Sequence, residues 1–154
     1  MNSKTQCYNS GAVNLDTSAT TYDITVAINF AIDGKAYSKS TVSNGASPTT
    51  DQNGDAFTAL TAGKGCLFLW MMNSSGTVSV LQSDVVDLDG ANTMITYPQF
   101  PAYDDDTYVA FAYTTVIAAT GASSWTFGAS NWDASNITSA AVNLCEIPSR
   151  PQGV

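Results

Sequence analysis

The chain has 154 residues, a length typical of one domain, and 44% of them are apolar, enough for a hydrophobic core. Only 12% are charged, and 13 acidic against 5 basic residues give a net charge of −8. The few cations are scattered, which argues against nucleic acid and anionic membranes as partners. The absence of histidine excludes Ser-His-Asp and Cys-His catalysis and imidazole metal ligands.

The first 19 residues are polar and offer few apolar anchors, chiefly Tyr8, Val13 and Leu15. They lack the continuous apolar core of a signal peptide, so we expect neither a signal peptide nor a membrane anchor here. Because so few side chains could attach this segment to a core, residues 1–19 are predicted to form an extended arm that orders against another surface.

Residues 22–32 alternate between apolar and polar side chains, the pattern of a half-buried strand. One face carries Tyr22, Ile24, Val26, Ile28, Phe30 and Ile32. Asp33 and Gly34 tolerate the positive φ of a tight hairpin turn, so residues 36–42 are predicted to return as the partner strand. Residues 43–55 contain two Asn-Gly pairs and a proline, which predict an exposed loop.

The remaining strands are predicted from short apolar or β-branched runs between turn residues. Residues 66–72 are apolar on both faces, which predicts a central strand covered on two sides. Further strands are predicted at residues 77–83, 108–117, 125–128 and 137–147. No segment has the periodicity and caps of a helix.

These elements predict an all-β domain over residues 20–147, folded as an antiparallel β-sandwich or a jelly roll. Pro148 and Pro151 interrupt any further pairing, so residues 148–154 are predicted to form an extended tail.

The cysteines and carboxylates form no strong chemical motif. Cys7, Cys66 and Cys145 are too widely spaced for a zinc site or a redox pair, and they are predicted to be reduced, with a Cys66–Cys145 disulfide as the alternative. The single glutamate, Glu146, has no carboxylate partner at a spacing that indicates acid–base catalysis. We therefore expect no enzymatic activity and no cofactor.

Two acidic segments and one aromatic loop are the candidate ligand sites. Residues 104–106 are three consecutive aspartates, and residues 51–55 match only the first half of a calcium loop, so both are interpreted as solvated loops with calcium binding as the alternative. Trp132 lies in a polar loop, is predicted to be exposed, and would offer its ring to a sugar.

Several segments resemble small virion proteins of tailed bacteriophages. The similarity extends over roughly residues 22–151 and lies mainly in turns and strand ends. It is carried by FAIDGKAY at 30–37, GCLFLW at 65–70, YPQFPA at 97–102, WTFGASNW at 125–132 and IPSRP at 147–151.

The resemblance implies a capsid decoration or cement protein, a non-enzymatic β-rich protein on the outer surface of the virion. Its partner would be the major capsid protein of the same phage, and it would form a homo-oligomer, with a trimer favoured. The expected capsid contacts lie in the arm and the tail: Lys4, Tyr8, Val13, Leu15 and Arg150.

The alternative is a receptor- or glycan-binding module of a tail or head fibre. In that case Trp132, Asp104 and Asp106 are the expected ligand residues.

Overall fold

The computed structural model describes residues 4–144, which contain eleven β-strands and no helix. The strands are β1 (Gln6–Cys7), β2 (Val13–Leu15), β3 (Thr21–Ile24), β4 (Ile28–Ile32), β5 (Lys35–Lys39), β6 (Val42–Ala46), β7 (Lys64–Asn73), β8 (Val78–Gln82), β9 (Val86–Asp87), β10 (Tyr108–Ala118) and β11 (Ile137–Asn143). All the pairings are antiparallel. The prediction of an all-β, antiparallel sandwich is confirmed.

The first six strands form one bent, three-stranded meander. Residues 6–16 pair with residues 21–31 in a single register, from Cys7 opposite Phe30 to Leu15 opposite Tyr22. Backbone hydrogen bonds carry this register across the gap between the strands, as in Val26 N–H to Gly11 O at 3.1 Å. On the other side, β5 pairs with β4 and β6 with β3. The two small sheets are therefore two halves of one layer.

The prediction that residues 1–19 form an extended arm is wrong for β1 and β2, which pair with β4 and β3 of the same chain. The side chains of Cys7 and Val13 are only 3% and 4% exposed. The arm pairs through backbone hydrogen bonds, which need no apolar side chains and so left little sign in the sequence.

The predicted strand over residues 22–32 keeps its alternation but is bent in the middle. Five of its six apolar side chains are buried, and Val26, at the bend, is 47% exposed. The predicted turn is confirmed, with φ of 46° at Asp33 and 77° at Gly34. The returning strand also breaks in two, and β6 extends to Ala46, inside the segment predicted to be a loop.

The central sheet has the order β11-β10-β7-β8, with β9 also paired to β7. In β7 every residue from Gly65 to Met72 is buried, as the predicted two-sided cover requires. The predicted strands at 77–83 and 108–117 are confirmed as β8 and β10. Of the predicted strand at 137–147, residues 137–143 form β11, and residues 145–147 lie outside the described residues.

The predicted strand at residues 125–128 is wrong. Trp125 makes an isolated bridge to Leu60, and the chain then turns, with the N–H groups of Ala129 and Ser130 donating to the carbonyl oxygen of Thr126. The apolar side chains that suggested a strand are instead buried from a loop.

The central sheet separates two hydrophobic clusters. Towards the meander, Phe68 and Trp70 of β7 pack against Phe127, with ring centroids 4.5 and 5.4 Å away. The opposite cluster includes Leu69 and Tyr113 and is flanked by Phe100, whose ring centroid lies 5.2 Å from that of Tyr113. Both faces of the sheet are therefore covered.

Gly128 packs against the loop at Pro48 too closely for any side chain. Its φ is 71°, and a Cβ at this position would collide with the carbonyl oxygen of Pro48. Gly34 has a similar φ of 77° with no atom near the position of a Cβ. An alanine at Gly34 would therefore introduce backbone strain alone, whereas an alanine at Gly128 would add a steric collision.

We predict that Gly128→Ala lowers the free energy of unfolding by more than about 4 kcal/mol, because clash adds to strain. The control Gly34→Ala should cost only about 1 to 2 kcal/mol, the strain of a left-handed residue with a Cβ. Urea denaturation followed by tryptophan fluorescence measures both. Equal losses in the two variants would contradict the close packing of Gly128 on Pro48.

Candidate functional site

The two acidic segments use their leading aspartates to hold turns. Asp51 Oδ1 accepts hydrogen bonds from the N–H groups of Asn53 and Asp55, at 2.7 and 2.9 Å. Asp104 accepts from the N–H of Asp106 and from the hydroxyl of Thr107. These are local Asx-type turns. Among residues 4–144 no three acidic or cysteine side chains lie close enough together to hold a metal ion.

The prediction that Trp132 is exposed is wrong. Its side chain is 5% exposed and packs on Trp125, with the ring centroids 5.3 Å apart. Its Nε1–H donates to the carbonyl oxygen of Thr21 at 3.2 Å, and its backbone N–H donates to that of Ala19. The surrounding loop is polar, yet the ring reaches across to the turn of the meander, so its faces are not available to a sugar.

A polar groove lies where the turn between β4 and β5 meets the loops at residues 74 and 106. It encloses about 320 Å³ and is lined by Ile32, Asp33, Lys35, Tyr37, Ser74, Asp106 and Thr107. The ring of Tyr37 is stacked on that of Phe30, with centroids 5.6 Å apart, which fixes its position at the groove. Of the predicted ligand residues, Asp106 lines this groove and Trp132 does not. The groove is formed by residues that are distant in sequence, so no local sequence motif predicts it.

A second groove, of about 300 Å³, lies between β2 and the edge of β11. Its walls are Val13, Asn14, Leu15 and Thr17 on one side and Ser139 and Ala141 on the other, with Trp132 also in the lining. The N–H of Val13 donates to Oδ1 of Asn143 at 2.7 Å, linking the two strands. The lining residues that the structure describes carry no charged side chain.

The outward side of the meander is a broad, weakly charged surface, here called the outer face. The side chains that alternate with the buried ones form it: Gln6, Tyr8, Asn14, Asp23, Thr25, Ala27, Asn29, Ala36 and Ser38. Tyr8, Asn29 and Ser38 form one row across the three strands, and Tyr8 is 55% exposed. Among these nine residues Asp23 carries the one formal charge, and Asp16, which accepts a hydrogen bond from the hydroxyl of Thr21, lies at the border of the face. The alternation in residues 22–32 already indicated this face, but its extent depended on the pairing partners.

The structure places the residues predicted to contact a capsid in different environments. Tyr8 lies on the outer face, and Lys4 is exposed. Val13 is buried and Leu15 is half-buried against the core, so neither of these side chains belongs to the outer face. Arg150 and the predicted tail at 148–154 lie outside the described residues.

Two cysteines, Cys7 and Cys66, are buried in the described part of the chain. Cys7 donates from Sγ to the carbonyl oxygen of Ala110 at 3.5 Å. Burial raises the pKa of the Cys66 thiol to about 12, although a hydrogen bond from Gln82 partly opposes the shift. Cys145, the partner in the alternative disulfide, lies outside the described residues.

No protein-family model, no curated protein and no solved structure matches this chain. Within residues 4–144 there is no helix with the length and apolar character needed to cross a membrane.

We predict that in a Cys145→Ser variant the native protein reacts with a thiol reagent at pH 8 at least about tenfold more slowly than the urea-unfolded chain, because the thiolate is the reactive form. Mass spectrometry of timed labelling measures the two rates. Equal rates in the native and unfolded states would contradict the burial of both thiols.

We also predict that raising the pH from 9 towards 12 lowers the free energy of unfolding, since the unfolded Cys66 thiol ionises near 9.0 and the folded one near 12.

Proposed function

We propose that this chain is a non-enzymatic structural protein of a phage virion, a decoration or cement protein on the outer surface of the capsid. The observation that carries the proposal is the outer face, a continuous strand surface with one formal charge among nine side chains. The partner is the major capsid protein of the same phage, as the resemblance to small virion proteins implies.

The chemistry of the outer face suits attachment to a repeating lattice. Asn, Ser and Thr side chains exchange hydrogen bonds with water for hydrogen bonds with a partner, and few ions have to be desolvated on contact. Tyr8 adds an exposed aromatic ring of the type enriched at protein interfaces. Each contact is weak, but an oligomer that engages several equivalent lattice sites at once gains affinity from its effective concentration.

A rigid support also favours this surface. The opposite side of the same strands is buried against the central sheet through side chains such as Ile24, Ile28 and Phe30, all 0% exposed. The backbone of the outer face is therefore fixed before binding, and little conformational entropy is lost when a partner is bound.

The groove at Tyr37 favours a second candidate function, a glycan-binding module of a fibre. The groove offers an aromatic ring, hydroxyls from Ser74 and Thr107, a carboxylate from Asp106 and an ammonium group from Lys35. Sugars are recognised by such a combination of an apolar ring surface and directional hydrogen bonds. Under this alternative the aromatic platform is Tyr37, because Trp132 is buried.

We predict that the double variant Tyr8→Glu/Ser38→Glu binds stripped shells of the phage that encodes the chain about tenfold more weakly than the parent protein, because two buried charges would need desolvation. The matched control is Ile95→Glu/Ser124→Glu, which places the same charges at exposed positions away from the outer face. Co-sedimentation with shells measures binding. Binding of the parent with equal loss in both variants would rule out the outer face as the contact, and no binding of the parent would refute the decoration function.

For the alternative function we expect binding of at least one saccharide on an array of bacterial surface glycans, with Tyr37→Ala reducing the signal about tenfold or more. Tyr97→Ala is the control, because Tyr97 is 44% exposed and does not line the groove. An array without any bound saccharide would reject the glycan module while leaving the decoration function untouched.

A further inference from the structure

In the described part of the chain, the edge of β11 that points away from β10 is an unpaired edge of the central sheet. Within residues 4–144, β10 alone pairs with β11, in the register from Ala112 opposite Asn143 to Ala118 opposite Ile137. The bonds from Leu144 N–H to Phe111 O and from Ala119 N–H to Asn136 O set the phase of the ladder.

Because bonded positions alternate along an antiparallel strand, this phase fixes which backbone groups point outward. Residues 138, 140 and 142 exchange hydrogen bonds with β10. Ser139 and Ala141 therefore direct their N–H and C=O groups away from the sheet, and the same two residues form one wall of the uncharged groove.

This edge lacks the protection that the edges of β5 and β8 have. The edge strand β5 carries Lys35 and Lys39, and charged side chains discourage further pairing. The edge of β8 is partly covered by the loop at residues 51–55, from which Gln52 N–H donates to Val80 O at 3.1 Å. In contrast, β11 has the sequence ITSAAVN, without charge or proline.

We propose that two copies of the chain associate through their β11 edges, forming an antiparallel strand pair about a two-fold axis at Ala140. With Ala140 on the axis, Ser139 of each copy lies opposite Ala141 of the other, so both pairs of outward backbone groups are bonded. Ala140 then faces its own copy in a non-hydrogen-bonded pair, where Cα atoms lie about 4.5 Å apart.

Charge favours a second copy as the occupant of this edge. The chain carries a net charge of −8, so most of its surface repels another copy. Among the described residues, β11 and the lining of its groove have no charged side chain, so the paired strands themselves bring no carboxylates into opposition. The small side chains at 139–141 also allow close approach of the two backbones.

The association is tested first by cross-linking. In a Cys145→Ser background, we expect Ala140→Cys to form a disulfide-linked dimer under mild oxidation, seen on a non-reducing gel. Ser38→Cys in the same background is the matched control, because Ser38 is an exposed position on the lysine-bearing edge β5. It should form little or no dimer.

Sedimentation velocity over the micromolar range provides a second measurement. We expect a species with twice the 16.1 kDa mass of one chain, which Ser139→Lys shifts towards the monomer by about tenfold in Kd. Ser38→Lys should leave the equilibrium unchanged. A two-fold pair gives a dimer, whereas the resemblance to virion proteins implies a trimer, and the mass distinguishes them.

A monomer at every concentration, a trimer without Ala140→Cys cross-linking, or a dimer insensitive to Ser139→Lys would overturn the proposed pairing. The proposal does not depend on the decoration function, because the experiments use no capsid. Its failure would leave shell binding by the outer face as a separate question.

Discussion

The pairing of β7 with β10 is the constraint on which the rest of the structure depends. The two strands pair from Tyr108 opposite Asn73 to Ala118 opposite Lys64. Their backbone groups bond to neighbouring strands, so the strands can be buried on both faces without unpaired polar groups. One buried side-chain bond accompanies the ladder, from Nε1–H of Trp70 to Oγ1 of Thr114 at 2.8 Å. Removing that acceptor would leave an indole N–H unsatisfied in the core.

In the described residues, the meander and the loop around Phe127 pack on one face of the central sheet, and the residues around Phe100 pack on the other. The meander covers one face together with the aromatic loop around Phe127, and Trp132 joins that loop to the meander by donating to Thr21. The outer face and both grooves lie in or beside the meander. The candidate functional surfaces thus belong to a layer that is rigid because its inner side is packed.

Several carboxylates of this acidic chain hold local Asx-type turns. In the described residues there is a salt bridge between Lys64, whose side chain is 41% exposed, and Asp87, whose side chain is 67% exposed. Asp51, Asp89 and Asp104 instead accept backbone N–H groups two or more residues later in the chain. These carboxylates therefore shape loops, and the proposed decoration function relies on the neutral polar groups and the aromatic ring of the outer face.

The sequence by itself determined the all-β class, the central strands and the first hairpin turn, because two-sided burial and alternation are local patterns that each strand carries alone. It also indicated the inner and outer sides of residues 22–32. Only the tertiary structure decided that residues 6–7 and 13–15 are strands, that Trp132 is buried and that Asp106 shares a groove with Tyr37. Backbone pairing and long-range contacts depend on which segments of the chain come together in the fold, and the composition of a single segment does not specify its partner.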